Sequence, residues 1–103
     1  MKILLSCSGG MSSSLIAQGL EKEGKKRGQE VQVHATGTEN VADDLNANDY
    51  DVVLLAPQSV YRKKVVEEEA NNHDINFVMI PRNMYNPLAT GKLLDLVEEE
   101  LNK

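Results

Sequence analysis

Apolar positions along the chain change period several times, and each change predicts an element. Residues 2–6 (KILLS) form a short apolar run closed by a Gly/Ser stretch, the pattern of a buried strand. From Ser12 the spacing becomes helical: Leu15, Ile16, Gly19 and Leu20 make one apolar side, and Gly28 offers a C-terminal stop. Residues 31–36 (VQVHAT) alternate apolar with polar and predict a half-buried edge strand. A short helix follows over 40–48, with Asn40 placed to cap it. Residues 51–56 (DVVLLA) are a fully apolar strand stopped by Pro57, after which 59–71 read as helix with Ser59 as its cap. A fourth strand at 76–80 (NFVMI) ends at Pro81. The last helix spans 87–101, with Asn86 as N-cap, Pro87 at its first position, and Leu94, Val97 and Leu101 along one stripe.

Strand and helix alternate throughout, which predicts an α/β fold with one parallel sheet and helices on both faces. The edge-like second strand sets the order 2-1-3-4, a flavodoxin-like three-layer sandwich. That order places a topological switch point at the carboxyl ends of strands one and three, where ligands bind in such sheets. Cys7 ends the first strand; Pro57 and Gln58 follow the third. The two loops are expected to face each other.

Composition narrows the classes. The 103 residues suit one domain spanning 1–103, and the 41% apolar content with 4% aromatics implies an aliphatic core. Formal net charge is −5, against a nucleic-acid binder, which needs a basic face. Two basic clusters, Lys22, Lys25, Lys26 and Arg27, then Arg62, Lys63 and Lys64, read as solvated helix faces; the second reading is a docking rim for an acidic partner. One cysteine permits neither an internal disulfide nor a CxxC pair. The N-terminal apolar run is too short for a signal peptide and no stretch reaches the ~18 residues of a membrane span, so a cytoplasmic protein is expected. His34 and His73 lack a second His or Cys spaced for a metal, and there is no GxGxxG or GxxxxGK[ST]. No metal and no cofactor are expected. The polar helices offer no large apolar patch, so the expected state is a monomer.

The chemistry concentrates in CSGGMSSSL, residues 7–15. Gly9 and Gly10 allow positive φ and close approach of a ligand. Successive N–H groups and the start of a helix make an anion cradle. Such donors stabilise a thiolate and would equally hold an oxyanion bonded to sulfur. The alternative is that Cys7 is a small buried apolar residue beside a plain turn. A low-molecular-weight tyrosine phosphatase would use the loop with an arginine clamping the phosphate; its position falls on Ser13, and the loop has no arginine. A thiol arsenate reductase would need further cysteines. A carrier that stores the phosphoryl group on sulfur needs neither.

The pattern Cys-Ser-x-Gly-Met-Ser-x-Ser-Leu at Cys7, Ser8, Gly10, Met11, Ser12, Ser14 and Leu15, with DVVLLAPQ closing the third strand and Tyr85 after the fourth, resembles the enzyme IIB component of the lactose/cellobiose (diacetylchitobiose) branch of the bacterial phosphoenolpyruvate-dependent sugar phosphotransferase system. The resemblance covers essentially the whole chain. It implies that Cys7 accepts a phosphoryl group from a phosphohistidine of enzyme IIA. It implies passage of that group to a sugar of the cellobiose, lactose or chitobiose class held by the membrane enzyme IIC. The phosphate-binding candidates are Ser8, Gly9, Gly10, Met11 and Ser12 through backbone N–H, hydroxyls of Ser12, Ser13 or Ser14, and the Gln58 amide. For the serines the alternative is helix capping; for Met11, packing; for Gln58, a solvent-facing turn. Pro57, Tyr61, Arg82 and Tyr85 are candidates for the partner rim, with core packing the alternative for Tyr61. Asn86, Pro87 and Leu88 depart from the glycine-rich turn expected there. Two other functions remain open: a cysteine-dependent phosphatase, and a module whose phosphorylation state signals to a regulator.

Overall fold

A computed structural model describes residues 1–8 and 12–103, with the backbone alone for Ser12; Gly9, Gly10 and Met11 lie outside the described residues. The elements run β1 (Lys2–Cys7), α1 (Ser12–Lys26), β2 (Gln32–Gly37), α2 (Val41–Ala47), β3 (Val52–Leu55), α3 (Lys63–Asn72), β4 (Asn76–Met79) and α4 (Thr90–Leu101). Short 3-10 turns at Thr38–Asn40, Pro57–Arg62, Arg82–Met84 and Pro87–Ala89 lie between them. The sheet order is β2-β1-β3-β4 and every pairing is parallel, as the apolar pattern predicts.

Alternation along the central strands sorts the core into two halves. Ile3 and Leu5 of β1, with Val52 and Leu54 of β3, pack beneath Ile16, Ala17 and Leu20 of α1 and Leu93, Leu94 and Val97 of α4. Leu4, Val53 and Leu55 point the other way, against Val41 and Leu45 of α2 and Val66 and Ala70 of α3. Both faces of β1 and β3 are thus covered, which is why these strands read as unbroken apolar runs. Each fully buried aliphatic side chain contributes about 1.5–3 kcal/mol. β2 alternates exposed and half-buried residues as an edge strand does. Its Val33 N–H donates to the Glu21 carboxylate of α1 at 2.9 Å, which occupies part of the open edge.

Four local expectations are corrected. Leu15 is 55% exposed, not part of the inward side of α1. That side is Ser13, Ile16, Ala17, Leu20 and Gly24, spaced three and four apart, and Leu15 falls beside it. Asn40 makes no side-chain cap; at φ −102°, ψ −1° it is already in a helical turn, and the extended residue before that turn is Gly37. Ser59 does not cap α3, which starts at Lys63. The chain enters from Pro57 through a 3-10 turn, broken at Ser59 (φ −103°, ψ 24°). Asn86 does cap, accepting from the Leu88 N–H at 2.9 Å, but the turn it caps is 3-10 and α4 begins at Thr90.

Candidate functional site

β1 and β3 lie side by side, but their following helices leave to opposite faces of the sheet. The carboxyl ends of these two strands therefore flank a crevice. Pairing brings Ser6 opposite Leu55 and Cys7 opposite Gly37. Beyond the regular ladder the Ala56 N–H still reaches the Ser6 carbonyl at 2.9 Å. The Ser6 hydroxyl donates to the Leu54 carbonyl at 2.8 Å, so the strand is pinned immediately before the cysteine. Cys7 is 2% exposed at that end, with α1 beginning five residues on at Ser12.

The turn after β3 closes over this point. Gln58, itself largely exposed, donates its Nε2–H to Cys7 Sγ at 3.4 Å, joining residues 51 apart in the chain. The expected meeting of the two switch-point loops is present, and the Gln58 amide faces sulfur. Its neighbour Ser59 is fully buried: its Oγ accepts the Ser8 N–H at 2.8 Å and lies 2.8 Å from Ser8 Oγ. The helical pattern over 59–71 predicts Ser59 as a cap, whereas its partner is Ser8. The available signal was a serine directly after Pro57 and Gln58, on a loop that has to meet the cysteine.

Pro57, Gln58, Arg82 and Tyr85 line one open pocket of about 220 Å³, so three of the four rim candidates are gathered beside the Gln58 amide. Tyr61 is not among them. It is 72% exposed, which overturns core packing for it. Ser13 is buried in the first turn of α1 and Ser14 is exposed. The candidate roles of Gly9, Gly10, Met11 and the Ser12 hydroxyl fall outside the described residues.

A larger open pocket, about 400 Å³, lies at the other end of the sheet among Lys2, Gln32, His34 and Tyr50. Its lining has no cysteine, serine or threonine, and we assign it no chemistry. Burial, with Asp44 nearby, pushes the Tyr50 phenol above its ordinary range. His34 stands exposed on β2, and His73 bridges the Glu69 carbonyl and the Asn46 side chain, tying α3 to α2. Among the described residues no group of three or more His, Cys, Asp or Glu is placed to hold a metal. No helix of those residues is long and apolar enough to cross a membrane.

A parallel sheet with a buried cysteine at its switch point, an amide donor on its sulfur and a helix starting five residues on defines an α/β protein that sets a thiol close to the N-terminal end of a helix. The model of the PTS system, lactose/cellobiose specific IIB subunit, matches residues 2–94. The oligo-beta-mannoside-specific EIIB component of Bacillus subtilis is 33% identical over 91 residues, covering 88% of this chain and 85% of that protein. The galactose-specific EIIB component of Lactococcus lactis is 27% identical over 103 residues, covering 97% and 95%. The cellobiose-specific IIB component of Borrelia burgdorferi superposes with a TM-score of 0.77 at 33% identity, over 99% of this chain and 92% of that one. The lactose-specific IIB domain of Streptococcus pneumoniae, 22% identical, gives a TM-score of 0.84 over 97% and 96%, a likeness of fold. The chain belongs to the lactose/cellobiose-specific IIB subunits of the phosphotransferase system. It is a subunit of a sugar phosphotransferase, and membership implies IIA and IIC components as its working partners.

Proposed function

We propose that Cys7 carries the phosphoryl group. Its thiolate attacks phosphorus on a phosphohistidine of enzyme IIA; the S–P bond forms as the N–P bond breaks, and the imidazole leaves. A hydroxyl of the sugar held by IIC then attacks the same phosphorus. The O–P bond forms, the S–P bond breaks, the thiolate is regenerated, and the hydroxyl proton passes to a base on the acceptor side. The observation that carries this reading is the Gln58 amide donating to the sulfur of a cysteine buried at the switch point. That donor, with the N–H groups that open α1, supplies neutral stabilisation for charge on sulfur or on phosphoryl oxygens. It suits storage of a thiophosphate better than its hydrolysis. The relatives are named for oligo-beta-mannosides, galactose and cellobiose, which supports a small β-linked or galactose-type sugar. The site opens at one end of the sheet, where brief docking in the cytoplasm with IIA, then with IIC at the membrane face, requires only a small interface. The 103 residues act as one unit in this scheme.

Intact-mass measurement after incubation with a phosphorylated lactose-type IIA tests it. The wild-type chain gains one phosphoryl group and Cys7→Ser gains none. Steady release of phosphate from p-nitrophenyl phosphate, without a stable mass gain, would instead establish a phosphatase, with Arg82 in the adjoining pocket as its cation.

A further inference from the structure

Ser59 has no part in the scheme above, yet its side chain is directed at the residue after the cysteine. It is a fully buried hydroxyl at a break in an otherwise helical turn. A buried hydroxyl is tolerated only where it is hydrogen-bonded. Its partners are the backbone N–H of Ser8 and the Ser8 hydroxyl, each at 2.8 Å. Two consecutive residues of one loop, Gln58 and Ser59, thus grip two consecutive residues at the end of β1, Cys7 and Ser8, across 51 positions of sequence.

We propose that Ser59 is a positioning residue for phosphoryl transfer: by holding the N–H and hydroxyl of Ser8 it fixes the peptide that carries Cys7 and sets which way the Ser8 hydroxyl donates. The proposal rests on the carrier reading. The Ser8 N–H is the first beyond the cysteine, and Ser59 Oγ already takes it. That bond fixes the Cys7–Ser8 peptide plane, and so the direction in which sulfur is presented. Between the two hydroxyls either oxygen can be the donor. With no anion on sulfur, Ser8 donates to Ser59. With a phosphoryl group there, rotation of two O–H bonds leaves Ser59 donating to Ser8 and frees the Ser8 proton for the phosphoryl oxygens. The switch needs no heavy-atom movement of either serine.

The test uses the full chain with Ser59→Ala, Ser59→Thr, Ser8→Ala and the Ser8/Ser59 double variant, in single-turnover transfer from phosphorylated IIA. Ser59→Ala should lower the maximal rate about tenfold, the worth of one lost hydrogen bond at a buried site. Half-saturation by the donor should stay within about twofold, because donor docking does not touch a buried residue. Ser59→Thr keeps the hydroxyl and should restore most of the rate. The double variant should be no slower than Ser59→Ala, since the two act as one unit. A maximal rate for Ser59→Ala within twofold of wild type, or additive losses in the double variant, would overturn the proposal. Should Ser59→Ala fail to fold, the Ser8→Ala and Ser59→Thr rates decide: both within twofold of wild type would overturn it. Wild-type mass gain separates this failure from failure of the carrier reading. If the wild type takes no phosphoryl group, alkylation of Cys7 by iodoacetamide at fixed pH decides. A severalfold change in Ser59→Ala, reversed in Ser59→Thr, supports positioning, and an unchanged rate overturns it.

Discussion

Gln58 is exposed on one side and hydrogen-bonded to sulfur on the other, so its side chain contributes little to packing and is well placed for chemistry. Charge on the thiolate, and later on the phosphoryl oxygens, strengthens a bond from that amide; hydrogen bonds to charged groups are worth about 1.5–3 kcal/mol. Gln58→Ala should therefore slow transfer into Cys7 by about 10–100-fold, while its thermal midpoint stays near wild type, as for other surface substitutions. Gln58→Glu should be slower still, because it puts a carboxylate where charge must develop. Quench-flow transfer rates and a melting curve on the same samples check both. A rate loss that tracks a stability loss would assign Gln58 to structure alone. The same residue-scale logic separates Tyr61 from the site. Its ring is open to solvent, outside the Pro57, Gln58, Arg82 and Tyr85 pocket, and a residue so placed acts on docking if it acts at all.

Among the elements, α1 and α4 meet at a contact too tight for any side chain but hydrogen. A Cβ on Gly19 would lie 2.6 Å from Thr90 Cγ2, and Thr90 is itself buried at the start of α4. Gly→Ala inside a helix gains about 0.5–1 kcal/mol of propensity, whereas overpacking costs about 1–3 kcal/mol. Gly19→Ala should thus destabilise by about 1 kcal/mol in urea unfolding. Thr90→Ser removes the clashing methyl and keeps the hydroxyl that donates to the Pro87 carbonyl at 3.4 Å. Gly19→Ala in that background should cost less than in wild type, with Oγ1 at 3.1 Å and Cβ at 3.2 Å still close, and a cycle with no coupling would show that the helices shift instead. This contact was only half legible in the sequence: Gly19 was placed on the inward side, but its partner lies 71 residues on. The same division holds elsewhere. Strands announced themselves because β1 and β3 are buried on both faces and are bounded by Gly or Pro, and the edge position of β2 showed as alternation. Helix starts were misjudged at Pro57 and Pro87, where proline supplies no N–H and the chain winds a 3-10 turn before the α-helix. Ser59 departs from its predicted role for a different reason. A serine after proline satisfies a local capping rule, while its actual partner, Ser8, is set by the sheet order rather than by neighbours in sequence.

For the molecule as a whole, the question is how an acidic chain meets a partner briefly and repeatedly. Net charge is −5, so a second acidic protein is repelled at long range. The charges are not spread evenly around the mouth of the site. Every helix that follows a strand begins at the same end of the parallel sheet, so the start of α3 brings Arg62, Lys63 and Lys64 to the β3 side, and Arg82 follows β4. Glu39, Asp43 and Asp44 stand at the β2 side, after that strand. The mouth is therefore basic on one flank and acidic on the other, around a sulfur that accepts from the neutral Gln58 amide. Such an arrangement orients a docking partner without holding it, since rim charges act on encounter more than on the final affinity. The association rate with a phosphorylated IIA should fall as salt rises from about 0.05 to 0.5 M, because the rim charges that orient it are screened. Lys63→Glu with Lys64→Glu should slow association about tenfold at low salt and leave the single-turnover rate at saturating donor unchanged. Loss of the saturated rate in that variant would place the basic flank in the chemistry rather than in the encounter. Salt-independent association in the wild type would show that shape alone brings the two proteins together.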